Sequence, residues 1–102
     1  MSNTIKIAII QTRIYWEEAK KNLNKYDLLI EQVEEQTKII FFPEMFNTGF
    51  SMSVNKIAET MEGETVSWLK KNAAKKNAAI VASLAIQESD KVFNRLIWAH
   101  PS

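Results

Sequence analysis

The run Ile39-Ile40-Phe41-Phe42, followed directly by Pro43, constrains this chain more than any other feature. An uninterrupted apolar run rich in β-branched and aromatic residues reads as a buried strand. Proline has no N–H to give to a central ladder, so the strand must end there. The next residue is a carboxylate, Glu44, with Met45 and Phe46 immediately behind it. Ending a buried strand at this point sets one acid at a strand mouth among bulky apolar side chains. That position suits a general base in a partly dry pocket, with Met45 and Phe46 as candidate walls for a substrate. It also suits the plainer task of opening a helix or loop after Pro43, and spacing alone leaves both readings open.

Periodicity organises the rest. Residues 5–11, Ile5-Lys6-Ile7-Ala8-Ile9-Ile10-Gln11, read as a strand. Residues 16–36 read as a helix, because Trp16, Ala19, Leu23, Tyr26, Leu29, Ile30 and Val33 share one arc of a helical wheel. Asn22 falls inside that arc, and a buried amide there needs hydrogen-bond partners. A helix-length connection from this strand to the one at 39–42 implies a parallel, right-handed crossover.

After residue 46 comes a long connector over 47–62, whose Phe50, Met52 and Met61 predict packing near the site. A second helix starts at Gly63-Glu64 and ends near Asn77, a residue that tolerates the left-handed cap conformation. Val66, Leu69 and Ala73 mark its buried face, and Lys70, Lys71, Lys75 and Lys76 its solvated side. Trp68 points away from that face, either beneath a neighbouring loop or into a surface contact. A third strand over 78–87 is apolar nearly throughout, so both its faces should be covered. Glu88-Ser89-Asp90-Lys91 is a turn, and a fourth strand over 92–100 returns antiparallel. The fold class expected from the pattern is α/β with a mixed parallel and antiparallel sheet.

Three blocks carry a resemblance. They are Ile7-Ala8-Ile9-Ile10-Gln11-Thr12, the stretch Phe42-Pro43-Glu44-Met45-Phe46-Asn47-Thr48-Gly49-Phe50-Ser51-Met52, and Phe93-Asn94-Arg95-Leu96. In this order and at these separations they resemble the N-terminal part of the nitrilase superfamily of carbon–nitrogen hydrolases. The central block is closer to the omega-amidase branch than to the nitrilases proper. The resemblance implies that residues 1–102 form the N-terminal part of one αββα-sandwich domain, truncated. It further implies a Glu-Lys-Cys triad in which Glu44 activates a cysteine thiol, a lysine stabilises the oxyanion, and a small-molecule amide loses ammonia through a thioester. No cofactor is implied.

The chain departs from that pattern in two places. It contains no cysteine. No lysine matches the family's position either, since Lys91 precedes Asn94-Arg95 where the family's lysine follows it. The expectation is therefore an amidohydrolase of omega-amidase type for the parent protein, with these residues inactive alone. The alternatives are a non-catalytic association module, or another amidase of the superfamily, of carbamoylase or nitrilase type.

Composition adds limits. At 46% hydrophobic and 25% charged the chain is ordinary globular material. Its net charge of +1 gives no reason to invoke nucleic acid or an anionic membrane. No stretch is long enough for a transmembrane span and the N-terminal run is too interrupted for a signal peptide, so a cytoplasmic location is expected. His100 has no partner suited to a metal site. A sandwich missing its second half would leave an apolar face open, which predicts self-association.

Overall fold

A computed structural model describes residues 3–102. Its elements run β1 (Ile7–Ile9), α1 (Ala19–Glu31), β2 (Ile39–Phe41), α2 (Val54–Ile57), α3 (Glu64–Lys76), β3 (Ala79–Glu88) and β4 (Lys91–Ala99). The strands form one sheet in the order β1-β2-β3-β4. β1 pairs with β2 and β2 with β3 in parallel, whereas β3 and β4 are antiparallel. The mixed α/β sheet read from the sequence is thus observed. Glu88 pairs with Lys91 across a two-residue turn. Ser89 takes a φ of +58° there, the sign a tight hairpin turn demands at its first central position.

Alternation along the strands divides the sheet into two faces. Ile40, Ile80, Ala82, Leu84, Ile86 and Ala99 pack with Leu23, Tyr26 and Ile30 of α1 and Val66, Leu69 and Ala73 of α3 in one core. Both long helices therefore cover the same face. On the other face Met45, Ile57 and Ala85 make a small cluster under α2. Beyond it that face lies open, with Ile7, Ile9, Leu96 and Trp98 exposed. β3 is buried from Ala79 through Ile86 even so, as its continuous apolar run predicts.

Helix α1 is shorter than the span predicted over 16–36. Glu17 has a φ of +58°, which no helix accommodates. Its N–H donates to the Thr48 carbonyl at 2.8 Å, so residues just before the helix are drawn to the loop after β2. Trp16 is consequently outside α1 and 58% exposed. At the far end, Gln32 and Val33 N–H groups donate to the Leu29 and Ile30 carbonyls, a tightened last turn. The first strand likewise keeps only Ile7–Ile9 of the predicted 5–11. Helix α3 follows its prediction closely, ending at Asn77 with a φ of +51° and with Lys75 and Lys76 in the last turn.

Trp68 resolves into neither a loop cover nor a plain surface contact. Its ring lies 6.3 Å from that of Tyr26 and its indole N–H donates to Asp27 at 2.8 Å, so it seals the meeting of α1 and α3.

Candidate active site

β2 ends where the sequence requires. Phe42 still donates its N–H to the Val81 carbonyl at 2.9 Å, and Pro43 then closes the ladder. The chain turns over residues 44–48. Glu44 is the first residue of that turn, and its carboxylate is exposed. No described residue gives it a hydrogen bond or an ion pair. The partly dry pocket expected around Glu44 is not formed by its sequence neighbours, because those neighbours point elsewhere.

Phe46 is fully buried on the helix side, with its ring 5.2 Å from both Tyr26 and Phe42. Burying a phenylalanine contributes about 1.5–3 kcal/mol, and aromatic neighbours add to that. Phe46 therefore anchors the turn from behind, and has no surface left with which to line a pocket. Met45 goes the other way, onto the cluster of Ile57 and Ala85. It borders an apolar cleft of about 210 Å³ with Phe50, Met52, Val54 and Phe93. Of the two predicted walls, only Met45 faces a cavity.

The turn that sends Met45 and Phe46 to opposite faces uses an unusual backbone. Met45 has a φ of +49°, the left-handed region that a bulky residue seldom enters. Such strain persists only where surroundings over-determine it, and here they do. The Ser83 hydroxyl accepts the Met45 N–H at 3.0 Å and the Ser83 carbonyl accepts that of Phe46 at 3.2 Å. The Met45 carbonyl accepts from Thr48 and Gly49 N–H groups, and Gly49 has a φ of +81°.

Helix α1 reaches the same turn. Asn22, the amide inside the apolar arc, is 1% exposed and fully partnered. Its amide N–H₂ donates to the Tyr15 and Asn47 carbonyls, both at 2.7 Å, and its carbonyl accepts the Tyr15 N–H. Sequence reasoning found that Asn22 needed partners, but not that one would be the turn after Glu44. Three further groups, Asn47, Thr65 and Glu59, were missed outright. Asn47 donates its side-chain amide to Thr65 at 3.1 Å and to Glu59 at 3.2 Å. Their polar types at irregular spacing gave no signal.

The connector is held by polar contacts and by Ile57 rather than by Phe50 and Met52. Phe50 is 61% and Met52 94% exposed, against the packing predicted for them. Ser51 is buried instead, and its hydroxyl donates to Glu17 at 2.5 Å. The Lys56 ammonium donates to the same carboxylate at 2.7 Å. These two bonds hold the Glu17 carboxyl below the usual range, and Glu17 in turn raises Lys56. Among the described residues no group of three or more His, Asp or Glu side chains is arranged to hold a metal. No helix among them is long and apolar enough to cross a membrane.

Comparison with known proteins covers nearly the whole chain. Residues 6–102 match the model of the carbon-nitrogen hydrolase family. The omega-amidase YafV of Yersinia enterocolitica is 34% identical over 101 residues, covering 97% of this chain and 38% of that protein. The 2-oxoglutaramate amidase of Bacillus subtilis is 28% identical over 95 residues, covering 91% and 37%. Among solved structures, XC1258 of Xanthomonas campestris, a CN-hydrolase superfamily protein with an arsenic adduct in its active site, superposes with a TM-score of 0.90. It is 36% identical and matches 95% of this chain and 37% of its own. Saccharomyces cerevisiae Nit3, of the nitrilase superfamily, shares the fold at a TM-score of 0.78 and 24% identity, over 95% of this chain and 40% of its own. The chain spans little more than a third of the length of the curated relatives it matches.

Proposed function

The chain belongs to the carbon–nitrogen hydrolase family, and from that premise we propose that Glu44 is the general base of an omega-amidase-like enzyme. Its substrate is the terminal amide of a small 2-oxo acid, and its products are the carboxylate and ammonia. The observation that carries this reading is the presentation of Glu44. Its carboxylate stands uncommitted at the mouth of β2, on a turn whose strained Met45 is held by β3 and whose Asn47 is held by α1.

In this reaction Glu44 accepts the proton of a cysteine thiol, because a thiol is only slightly ionised near neutral pH. The thiolate adds to the amide carbonyl, and a lysine stabilises the resulting oxyanion. The C–N bond breaks with a proton delivered to the departing ammonia. Water then cleaves the thioester and regenerates the thiol. Neither cysteine nor the family's lysine is among these residues, so the reading concerns an enzyme in which they act beside those groups. A surface covering the mouth of β2 would give Glu44 the dry surroundings a base needs. Met45 and the apolar cleft behind it would meet the substrate's carbon chain. A cytoplasmic setting and self-association through the open sheet face complete the proposal.

The test is ammonia release from a panel of 2-oxo acid amides by an active enzyme carrying these residues. Glu44→Gln should keep the fold and substrate affinity while acylation slows by roughly 10²–10⁴-fold, the usual range for a lost general base. Near-normal burst kinetics in that variant would return Glu44 to a structural role.

A further inference from the structure

Glu59 is joined to three elements at once. Its backbone extends the sheet past the end of β2, donating to the Ala85 carbonyl at 3.1 Å and accepting from the Gln87 N–H at 2.7 Å. One carboxylate oxygen accepts the Thr65 N–H at 2.8 Å. The other accepts the Thr65 hydroxyl at 2.5 Å and the Asn47 amide at 3.2 Å. Thr65 lies in the first turn of α3, whose N-cap is Gly63 and offers no side chain. Glu59 thus supplies a missing helix cap from a distance. No cation among the described residues pairs with it.

A cap alone does not need this arrangement. The two bonds to Thr65 already satisfy the helix start, yet the same half-buried carboxylate, without an ion pair, makes a third bond. What only Glu59 provides is the reach to Asn47. The cost falls on Asn47, which is 1% exposed and whose Oδ1 has no partner. Its amide is oriented by its donors alone, toward Glu59 and Thr65. Asn47 belongs to the turn that begins at Glu44 and passes through the strained Met45.

We infer that Glu59 is a positioning residue for Glu44, aiming the turn through Asn47; the inference rests on Glu44 being the general base. It differs from a plain structural cap in one consequence. Misdirecting Asn47 should slow chemistry while leaving substrate binding intact, since small displacements of a reacting group are kinetically expensive.

The experiment compares four variants of the active enzyme: Glu44→Gln, Glu59→Gln, Asn47→Asp, and the last two combined. Glu59→Gln turns a donor toward Asn47 and Thr65, and Asn47→Asp faces one carboxylate with another. Each alone should lower kcat about ten- to a hundredfold with KM within about twofold. The double variant reverses donor and acceptor across the same contact, and should recover kcat to within about threefold of the parent. The inference is overturned if Glu59→Gln lowers only the melting temperature, or if the double variant regains stability without regaining kcat. Full turnover by Glu44→Gln would instead sink the general-base reading, and this inference with it.

Discussion

The Tyr26 hydroxyl donates to the carbonyl of Phe46 at 2.8 Å, while their rings lie 5.2 Å apart. One side chain of α1 thus fills the core beneath the candidate active-site turn and also caps the turn's backbone. Asn22, one helical turn earlier, does the same for Asn47. Helix α1 is therefore as much a clamp on residues 46–47 as a cover for the sheet.

Tyr26 makes that clamp sensitive to alkali. Burial pushes its phenol from 10.0 up to about 12. The folded state then holds a proton that the unfolded chain releases first, so this stabilising effect is complete below pH 10. It is lost as pH rises from 10.0 toward about 12. Urea melts across that interval should show stability falling, and the fall should be shallower in Tyr26→Phe. At neutral pH that variant should lose about 1–2 kcal/mol, since the Phe46 carbonyl is left buried without its donor. A Tyr26→Phe protein as stable as the parent at pH 7 would show that the hydroxyl is idle.

Gly63 is required for space rather than for backbone freedom. Its φ of −76° suits any residue, but an added Cβ would lie 2.9 Å from the Glu59 carboxylate and 3.0 Å from the Thr60 carbonyl. The backbone oxygen cannot swing aside. Gly63→Ala should therefore cost about 1–3 kcal/mol in a denaturant melt, as overpacking does, and displace the cap on Thr65. A neutral result would mean that the 59–63 segment shifts freely.

How much of this could be read from the chain differs by residue. Pro43 and the apolar run before it placed the end of β2 and hence Glu44, because a missing N–H is a local fact. Asn77 declared its helix end because asparagine tolerates the left-handed cap conformation, which is also a local property. Trp16 misled the start of α1, since a wheel cannot show that Glu17 adopts a positive φ to bond Thr48. Phe46 looked like a pocket wall because adjacency to Glu44 was visible and the opposite facing of Met45 was not. Glu59, Asn47 and Thr65 form one network through contacts distant in sequence, which no periodicity encodes.

The Glu17 clip on the connector should respond to acid. Lys56 and Ser51 hold its carboxyl below 4.5, so the contact is whole above that pH and is lost as pH falls through the depressed value. The Lys56 side chain is 66% exposed, so solvent screens the ion pair and the effect on global stability should be small. Local protection is the better readout. The Ser53 N–H donates to the Ser51 hydroxyl, which Glu17 orients. In Glu17→Gln that amide should exchange with deuterium severalfold faster at neutral pH, with distant β3 amides unchanged. Equal exchange in both proteins would show that the loop is held without the clip.

The open sheet face predicts the behaviour of these 102 residues on their own. Ile7 and Ile9 are 48% and 72% exposed, and Leu96 and Trp98 on the opposite edge strand are 66% and 47%. The register places them on one side of the sheet, with Ile9 beside Phe41, Phe41 beside Val81 and Val81 beside Trp98. A contiguous apolar surface of this kind drives association, and the unpaired edges of β1 and β4 offer further backbone groups to a neighbour. Sedimentation of the purified residues should show oligomers or aggregates that grow with concentration. Leu96→Lys with Trp98→Lys should shift the distribution toward monomer, because both substitutions charge that face without touching the helix-side core. A monodisperse monomer with a cooperative melt in the unmutated protein would show that the face is tolerated in water. These residues would then stand as an independent unit.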